Sequence, residues 1–158
     1  MKKIVDLYGH YTNFDEMYEP ENSWYGQVLV GADHQFEGFV RDYVTADCFY
    51  VCGTMSKENL DVYQCTSKEG GVPHRYVAAR DKDRYYGTYY GTNGYAEIPV
   101  GECKMSIMPA EMTREETDYE RELIQERIKY LKSELGESSI SLLASFEQSK
   151  ANQPTAGK

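Results

Sequence analysis

Short apolar segments alternate with polar turns through the first hundred residues of the chain. Within each segment, apolar or aromatic side chains recur at every second position, which is typical of a β-strand with one buried face. The predicted strands cover residues 8–11, 24–30, 36–40, 48–53, 60–66, 74–80, 85–92, 95–99 and 102–108. Because the connections are mostly short, consecutive strands are expected to pair antiparallel. The pattern predicts a mainly β fold of eight or nine strands, an antiparallel up-and-down meander that forms a small closed or nearly closed barrel.

Several of these strands carry an aromatic residue shortly before a glycine. The repeat occurs at residues 24–26, 36–38, 85–87 and 89–91. Glycine inside a strand usually marks a bend or a close approach of backbones, and small barrels need such bends to close. In segment 85–92 the alternation puts Tyr85 and Tyr89 on one face together with two glycines. This face either packs in a curled sheet or leaves room for a ligand.

The chain changes character after residue 109. Thr113 and Glu116 have the spacing of a helix-capping box, and the run that follows is rich in helix formers and ends before Gly136. Apolar residues spaced by four, three and four form one stripe on this helix, Ile124, Ile128, Leu131 and Leu135. A second short helix is expected at about 139–150. The stripe is predicted to pack either on the sheet or on a second copy of the chain.

These patterns divide the chain into three parts. Residues 1–109 are expected to form the barrel, and residues 110–150 a helical extension packed on the barrel or on a second subunit. Residues 151–158 are predicted to be a disordered tail.

Composition narrows the classes of partner. The formal net charge is −9, so a phosphate backbone or an anionic membrane is a poor partner. No apolar run is long enough for a membrane span, and the N-terminus lacks a signal peptide pattern. We therefore expect a cytoplasmic protein whose four cysteines are free thiols.

No motif in the chain indicates a catalytic, metal or cofactor site. Cys48 and Cys52 lie on one predicted strand, about 13 Å apart at about 3.3 Å per residue, which is too far for one zinc ion to bridge. The three histidines, His10, His34 and His74, show no ligand spacing. The prediction is a noncatalytic protein with no metal and no cofactor.

The aromatic residues are the strongest functional indication. The chain has 15 tyrosines, and a tyrosine ring with its hydroxyl suits both a ligand pocket and an interaction surface. The residues predicted to line a ligand site are Tyr11, Trp24, Tyr50, Tyr85 and Tyr89. For each of them, ordinary packing in the core is the alternative.

The segment Gly9-His10-Tyr11, followed by about eight meandering strands and a terminal helix, resembles the calycin superfamily of lipocalins and avidin-like barrels. Tyr11 stands where lipocalins carry tryptophan. The resemblance covers residues 6–108 and implies a small hydrophobic ligand in the mouth of the barrel. Two hypotheses follow. The first is a lipocalin-like binding protein; the second is a protein-interaction or dimerisation module that acts through its acidic surface and its C-terminal helix.

Overall fold

The computed structural model describes residues 2–14, 22–66, 73–92, 97–109 and 112–151. Within these ranges the chain forms eight β-strands followed by two α-helices. The strands are β1 (Lys3–Asn13), β2 (Asn22–Val30), β3 (Gln35–Asp42), β4 (Cys48–Met55), β5 (Asn59–Cys65), β6 (His74–Asp81), β7 (Arg84–Thr92) and β8 (Glu97–Pro109). The helices are α1 (Arg114–Ser133) and α2 (Glu137–Ala151).

The strands form a closed barrel in chain order. Every strand pairs antiparallel with the next, and β8 pairs with β1 to close the sheet. The predicted fold class, an antiparallel meander barrel with C-terminal helices, is confirmed. Residues 97–99 of one predicted strand and all of the predicted strand 102–108 belong to a single strand, β8, whose pairing with β7 shifts register between Tyr89 and Tyr90. Most of the connection between the predicted strands 8–11 and 24–30, and all of the connection between 85–92 and 95–99, lie outside the described residues.

Inward-facing glycines allow the sheet to curl tightly enough to close. A Cβ atom on Gly26 would overlap with the carbonyl of Phe39, and one on Gly87 would overlap with the carbonyl of Val77. Neighbouring backbones therefore approach more closely at these points than any side chain allows. These contacts support the first interpretation of the aromatic–glycine repeat, in which the glycines bend the sheet.

Side chains fill the middle of the barrel. The inward-facing residues at this level are completely shielded from solvent; they are Leu7, Val28, Val40, Val51, Leu60 and Val62. A cavity large enough for water would expose part of its lining to a solvent probe, so the zero exposure indicates close packing. A ligand can reach the interior only from one of the two ends.

The helices cover part of the outer surface of the barrel. Thr113 caps α1 and Glu116 completes the capping box, as the sequence predicts. The side of α1 that carries Ile124, Ile128 and Leu131 is buried in a second apolar cluster together with outward-facing residues of the barrel. Helix α2 adds Phe146, whose ring lies 4.7 Å from that of Tyr63 on β5.

The junction between the helices is fastened to the end of β5. The backbone N–H of Gly136 donates to the carbonyl of Thr66, and the Ser139 hydroxyl both accepts from the N–H and donates to the carbonyl of the same residue. These bonds satisfy polar groups that are buried where the helical hairpin meets the sheet.

Candidate ligand site at one end of the barrel

The two ends of the barrel interior carry different side chains. Strands β1, β3, β5 and β7 run toward one end, where β6 begins with His74. We call this the His74 end. At the opposite end, which we call the Ser56 end, Ser56 lies in the turn between β4 and β5.

Four aromatic rings meet inside the His74 end. Tyr76 stacks on Tyr89 with their ring centroids 5.5 Å apart, and Trp24 meets the edge of Tyr76 at 5.4 Å. Tyr11 contacts Tyr89 at 5.2 Å. Such separations are those of favourable aromatic pairs. The cluster forms because each residue occupies an inward-facing position on its strand, and the Trp24 indole lies over Gly9, where any side chain would overlap with it.

A buried carboxylate lies beside these rings. Asp42, at the end of β3, is 4% exposed and pairs across the sheet with Trp24. Its Oδ1 accepts the backbone N–H groups of Val44 and Thr45, and its Oδ2 accepts the hydroxyl of Tyr11 at 2.8 Å. Three donors offset the cost of burying the charge and hold the tyrosine at the end of the barrel.

A second buried polar pair lies deeper in the same end. The Tyr76 hydroxyl donates to Oε1 of Gln64 at 2.8 Å, and burial raises the pKa of Tyr76 well above its ordinary value. The indole N–H of Trp24 lies beside the Tyr76 hydroxyl but makes no hydrogen bond of good geometry with any described residue. Polar atoms therefore occupy an interior that apolar side chains could have filled.

His74 contributes an imidazole at the edge of this cluster. Its ring centroid is 5.9 Å from that of Tyr89, and Gln64 is its cross-strand neighbour. Burial lowers the pKa of His74, and the nearby Asp42 carboxylate partly opposes that shift. Among the described residues, none forms a hydrogen bond with this side chain, so the neutral imidazole keeps one donor and one acceptor for another molecule.

Half-buried apolar side chains lie at the His74 end. Tyr11, Phe49 and Val100 pack on the buried cluster while each keeps part of its surface exposed. His74 is half-buried as well, next to the fully buried rings of Tyr76 and Tyr89. Apolar walls with a few polar groups are typical of small-molecule sites.

The structure brings together three of the five residues predicted to line a ligand site. Tyr11, Trp24 and Tyr89 meet at the His74 end. Tyr85 also points inward but lies at the Ser56 end, where its hydroxyl donates to the carbonyl of Ser56 at 2.9 Å. The prediction that it shares one site with the others is therefore corrected, because Tyr85 lies four positions before Tyr89 on β7 and so reaches the opposite end of the barrel.

Tyr50 lies outside the barrel, which corrects its prediction as an interior residue. On β4, Val51 points inward, so the alternation of the strand turns Tyr50 to the outer face beneath the helices. There its hydroxyl donates to Glu37 at 2.8 Å, and burial raises its pKa. An aromatic residue in a strand buried on both faces gives no signal of which face it takes.

The residues of the predicted interaction helix are also buried, or partly buried, within the chain. Ile124, Ile128 and Leu131 are buried against the outer face of the barrel, and Leu135 is half-buried in the same cluster. Of the two packing alternatives for this stripe, the structure has the intramolecular one. Most of the surface of these side chains is covered by the barrel and by α2.

Sequence reasoning did not select four residues of the His74 end: Asp42, Gln64, His74 and Tyr76. A signal for two of them was present in the alternation of the strands. Asp42 is two residues beyond Val40, and Gln64 is two residues beyond Val62, so each shares the inward face of its strand. The sequence carries one indication of such residues: a polar residue at the end of a strand that continues the alternation of the inward-facing apolar residues.

Within the described ranges, no group of three or more histidine, cysteine or acidic side chains converges. Cys52, Cys65 and Cys103 are buried free thiols. Burial raises the pKa of Cys65 and of Cys103 to about 12, so neither is a reactive thiolate at neutral pH.

No protein-family model, no curated protein and no solved structure matches the chain. The eight-stranded antiparallel barrel is compatible with a calycin-like fold. Among the described residues, no helix combines the length and the apolar composition needed to cross a membrane.

Proposed function

We propose that the protein is a noncatalytic, lipocalin-like binding protein that holds a small hydrophobic ligand at the His74 end of its barrel. The observation that carries this proposal is the buried aromatic and polar cluster beside the half-buried apolar side chains of Tyr11, Phe49 and Val100. The middle of the barrel is packed, so the ligand rests on the cluster and does not enter a deep cavity. The resemblance to calycins, whose ligands enter at the barrel mouth, agrees with this position.

The chemistry of these half-buried side chains defines the class of ligand. Tyr11, Phe49 and Val100 offer apolar and aromatic surface, which favours an aliphatic or aromatic body. Asp42 already has three donors, so a cationic ligand is not required to neutralise it. His74 offers one hydrogen-bonding edge. The ligand is therefore a small, mostly apolar molecule with one polar group.

Native mass spectrometry of the purified protein provides the first test. A bound small molecule is expected to appear as added mass that is lost at higher collision energy. A second test adds octanol, benzyl alcohol or decanoate and follows the fluorescence of Trp24, the only tryptophan of the chain. Because Trp24 lies in the floor of the site, binding is expected to change its emission.

Substitutions at the two ends provide matched controls. Phe49→Ala and His74→Ala are expected to weaken binding of the best probe by about tenfold, which corresponds to about 1.4 kcal/mol. Val30→Ala and Ile107→Ala remove equivalent half-buried side chains at the Ser56 end and are expected to leave it unchanged. The proposal fails if the Ser56-end variants weaken binding equally, or if no added mass and no probe binding is found at millimolar concentration.

A further inference from the structure

Helix α1 carries a second apolar stripe that the barrel does not cover. Tyr119, Leu123 and Tyr130 are spaced by four and seven residues, so they share one face of the helix. They are 63%, 42% and 65% exposed, whereas Ile124, Ile128 and Leu131 on the other side are buried against the barrel. Three large apolar side chains in a row on one solvent-facing stripe indicate an interaction surface.

The charges of α1 are divided between its two halves. Residues 114–123 contain five acidic and two basic side chains, and residues 124–133 contain one acidic and three basic ones. The first half is therefore negative and the second half positive. A second α1 lying antiparallel would place each negative half against a positive half, whereas a parallel one would place like charges together.

Charged residues on both sides of the exposed stripe have the spacing that such a contact requires. Glu122 and Lys129 are seven residues apart on one side, and Glu120 and Arg127 are seven apart on the other. None of these four side chains forms a salt bridge with a residue in the described ranges, although Arg127 lies over the ring of Phe39 at 4.8 Å. Their charges are free to pair across an interface.

We propose that this face of α1 binds a second copy of the chain, with the two helices antiparallel about a two-fold axis. Tyr119 of one copy then lies opposite Tyr130 of the other. Glu122 faces Lys129 of the second copy, and Glu120 faces its Arg127. The midpoints of these three pairs fall within the single turn 123–126, so one axis satisfies them all. Such a contact is isologous, as closed dimers require.

A groove beside the stripe provides further apolar surface for the second copy. It has a volume of about 480 Å³ and runs between α1 and the barrel, where Phe39, Leu123 and Tyr130 line it. The helix is about 30 Å long at about 1.5 Å per residue, so the contact is small for a protein interface. The dimer is accordingly weak and dissociates on dilution.

Sedimentation velocity over a concentration series from about 1 μM to about 1 mM tests the dimer, a range that covers weak interfaces. Glu122→Lys and Lys129→Glu, each alone, place like charges together and are expected to weaken association by about tenfold. The double variant exchanges the two charges and is expected to restore it. Both side chains are exposed, so neither change disturbs the core. If the double variant associates as weakly as the single variants, the antiparallel contact is wrong.

Leu123→Asp tests the stripe itself. It is expected to leave the protein monomeric at every concentration, while Ile140→Asp, which changes an exposed apolar residue on α2, is expected to leave the dimer intact. A wild-type protein that stays monomeric up to about 1 mM, or a dimer that survives Leu123→Asp, would overturn the proposal. The substituted residues of α1 lie outside the barrel and away from the His74 end. A failure of the dimer proposal would therefore leave the proposed ligand site unaffected, and the reverse also holds.

Discussion

The two ends of the barrel interior are filled by different kinds of side chain. Both are built from alternate residues of the same eight strands. The Ser56 end is filled mainly by aliphatic side chains and methionines, together with the rings of Phe36 and Tyr85; the Tyr85 hydroxyl reaches a turn carbonyl. The His74 end is filled by four aromatic rings, a carboxylate, an amide and an imidazole.

The two ends therefore differ in how many hydrogen-bond partners their buried side chains need. Aliphatic packing closes the Ser56 end without any demand for polar partners. At the His74 end each buried polar atom needs a partner, and Asp42 alone uses three donors. Aliphatic packing would avoid the cost of burying these polar groups. We therefore propose that they serve ligand binding.

The largest expected effect comes from removing the indole at the His74 end. Trp24→Ala is expected to lower the free energy of unfolding by about 3–5 kcal/mol, because it leaves a cavity beside Tyr76 and over Gly9. Leu60→Ala, its counterpart among the aliphatic side chains, is expected to cost about 2–5 kcal/mol. Urea unfolding followed by circular dichroism measures both. A clearly smaller loss for Trp24→Ala would mean that the His74 end is loosely packed.

The next effect concerns the buried carboxylate. Asp42→Ala removes the acceptor that serves the Tyr11 hydroxyl and the backbone N–H groups of Val44 and Thr45, and is expected to cost about 3 kcal/mol. Asp42→Asn keeps one oxygen acceptor and is expected to cost less, about 1 kcal/mol. Thermal unfolding of the two variants side by side measures the difference. Equal losses would contradict the hydrogen-bond account of this residue.

A pair of tyrosine substitutions compares the ends directly. Tyr76→Phe leaves Oε1 of Gln64 buried without its donor and is expected to cost about 1–3 kcal/mol. Tyr85→Phe removes a bond to a partly buried carbonyl that water can reach, and is expected to cost about 0.5–1.5 kcal/mol. Denaturant unfolding of both proteins under one set of conditions gives the ratio. The reverse order would show that the Ser56 end depends more on its polar contact.

The smallest expected effect is a pH dependence at the His74 end. Burial lowers the pKa of His74 in the folded protein, whereas the unfolded imidazole binds a proton near pH 6.5. The unfolded state therefore gains a proton first as the pH falls, and stability decreases from about pH 6.5 downward to the lowered pKa. Above that range the contribution of His74 is fully present.

His74→Gln isolates this contribution. It is expected to flatten the fall in melting temperature below about pH 6.5, while the rest of the chain is the same in both proteins. An unchanged pH profile would mean that the imidazole is protonated as easily in the folded protein as in the unfolded one.

The barrel was predictable from the sequence, but the set of residues that meet at the His74 end was predictable only in part. The strands were predictable because their two-residue alternation and their turns are local signals, and the helices because of the Thr113–Glu116 capping box. Tyr11, Trp24 and Tyr89 were predicted and meet at one end. Tyr85 and Tyr50 were grouped with them because aromatic character gives no information on height in the barrel or on which face is covered.

The order of the elements, their antiparallel pairing and the glycines at which the sheet bends follow from the sequence, because each depends on residues near one another in the chain. The burial of Ile124, Ile128 and Leu131 against the barrel, with Tyr119 and Tyr130 facing outward, emerges only when the chain is folded. The same is true of the meeting of Asp42, Gln64 and His74 at one end of the interior. Those arrangements depend on how far each strand extends before it turns, and closure of the barrel fixes that height for all eight strands together.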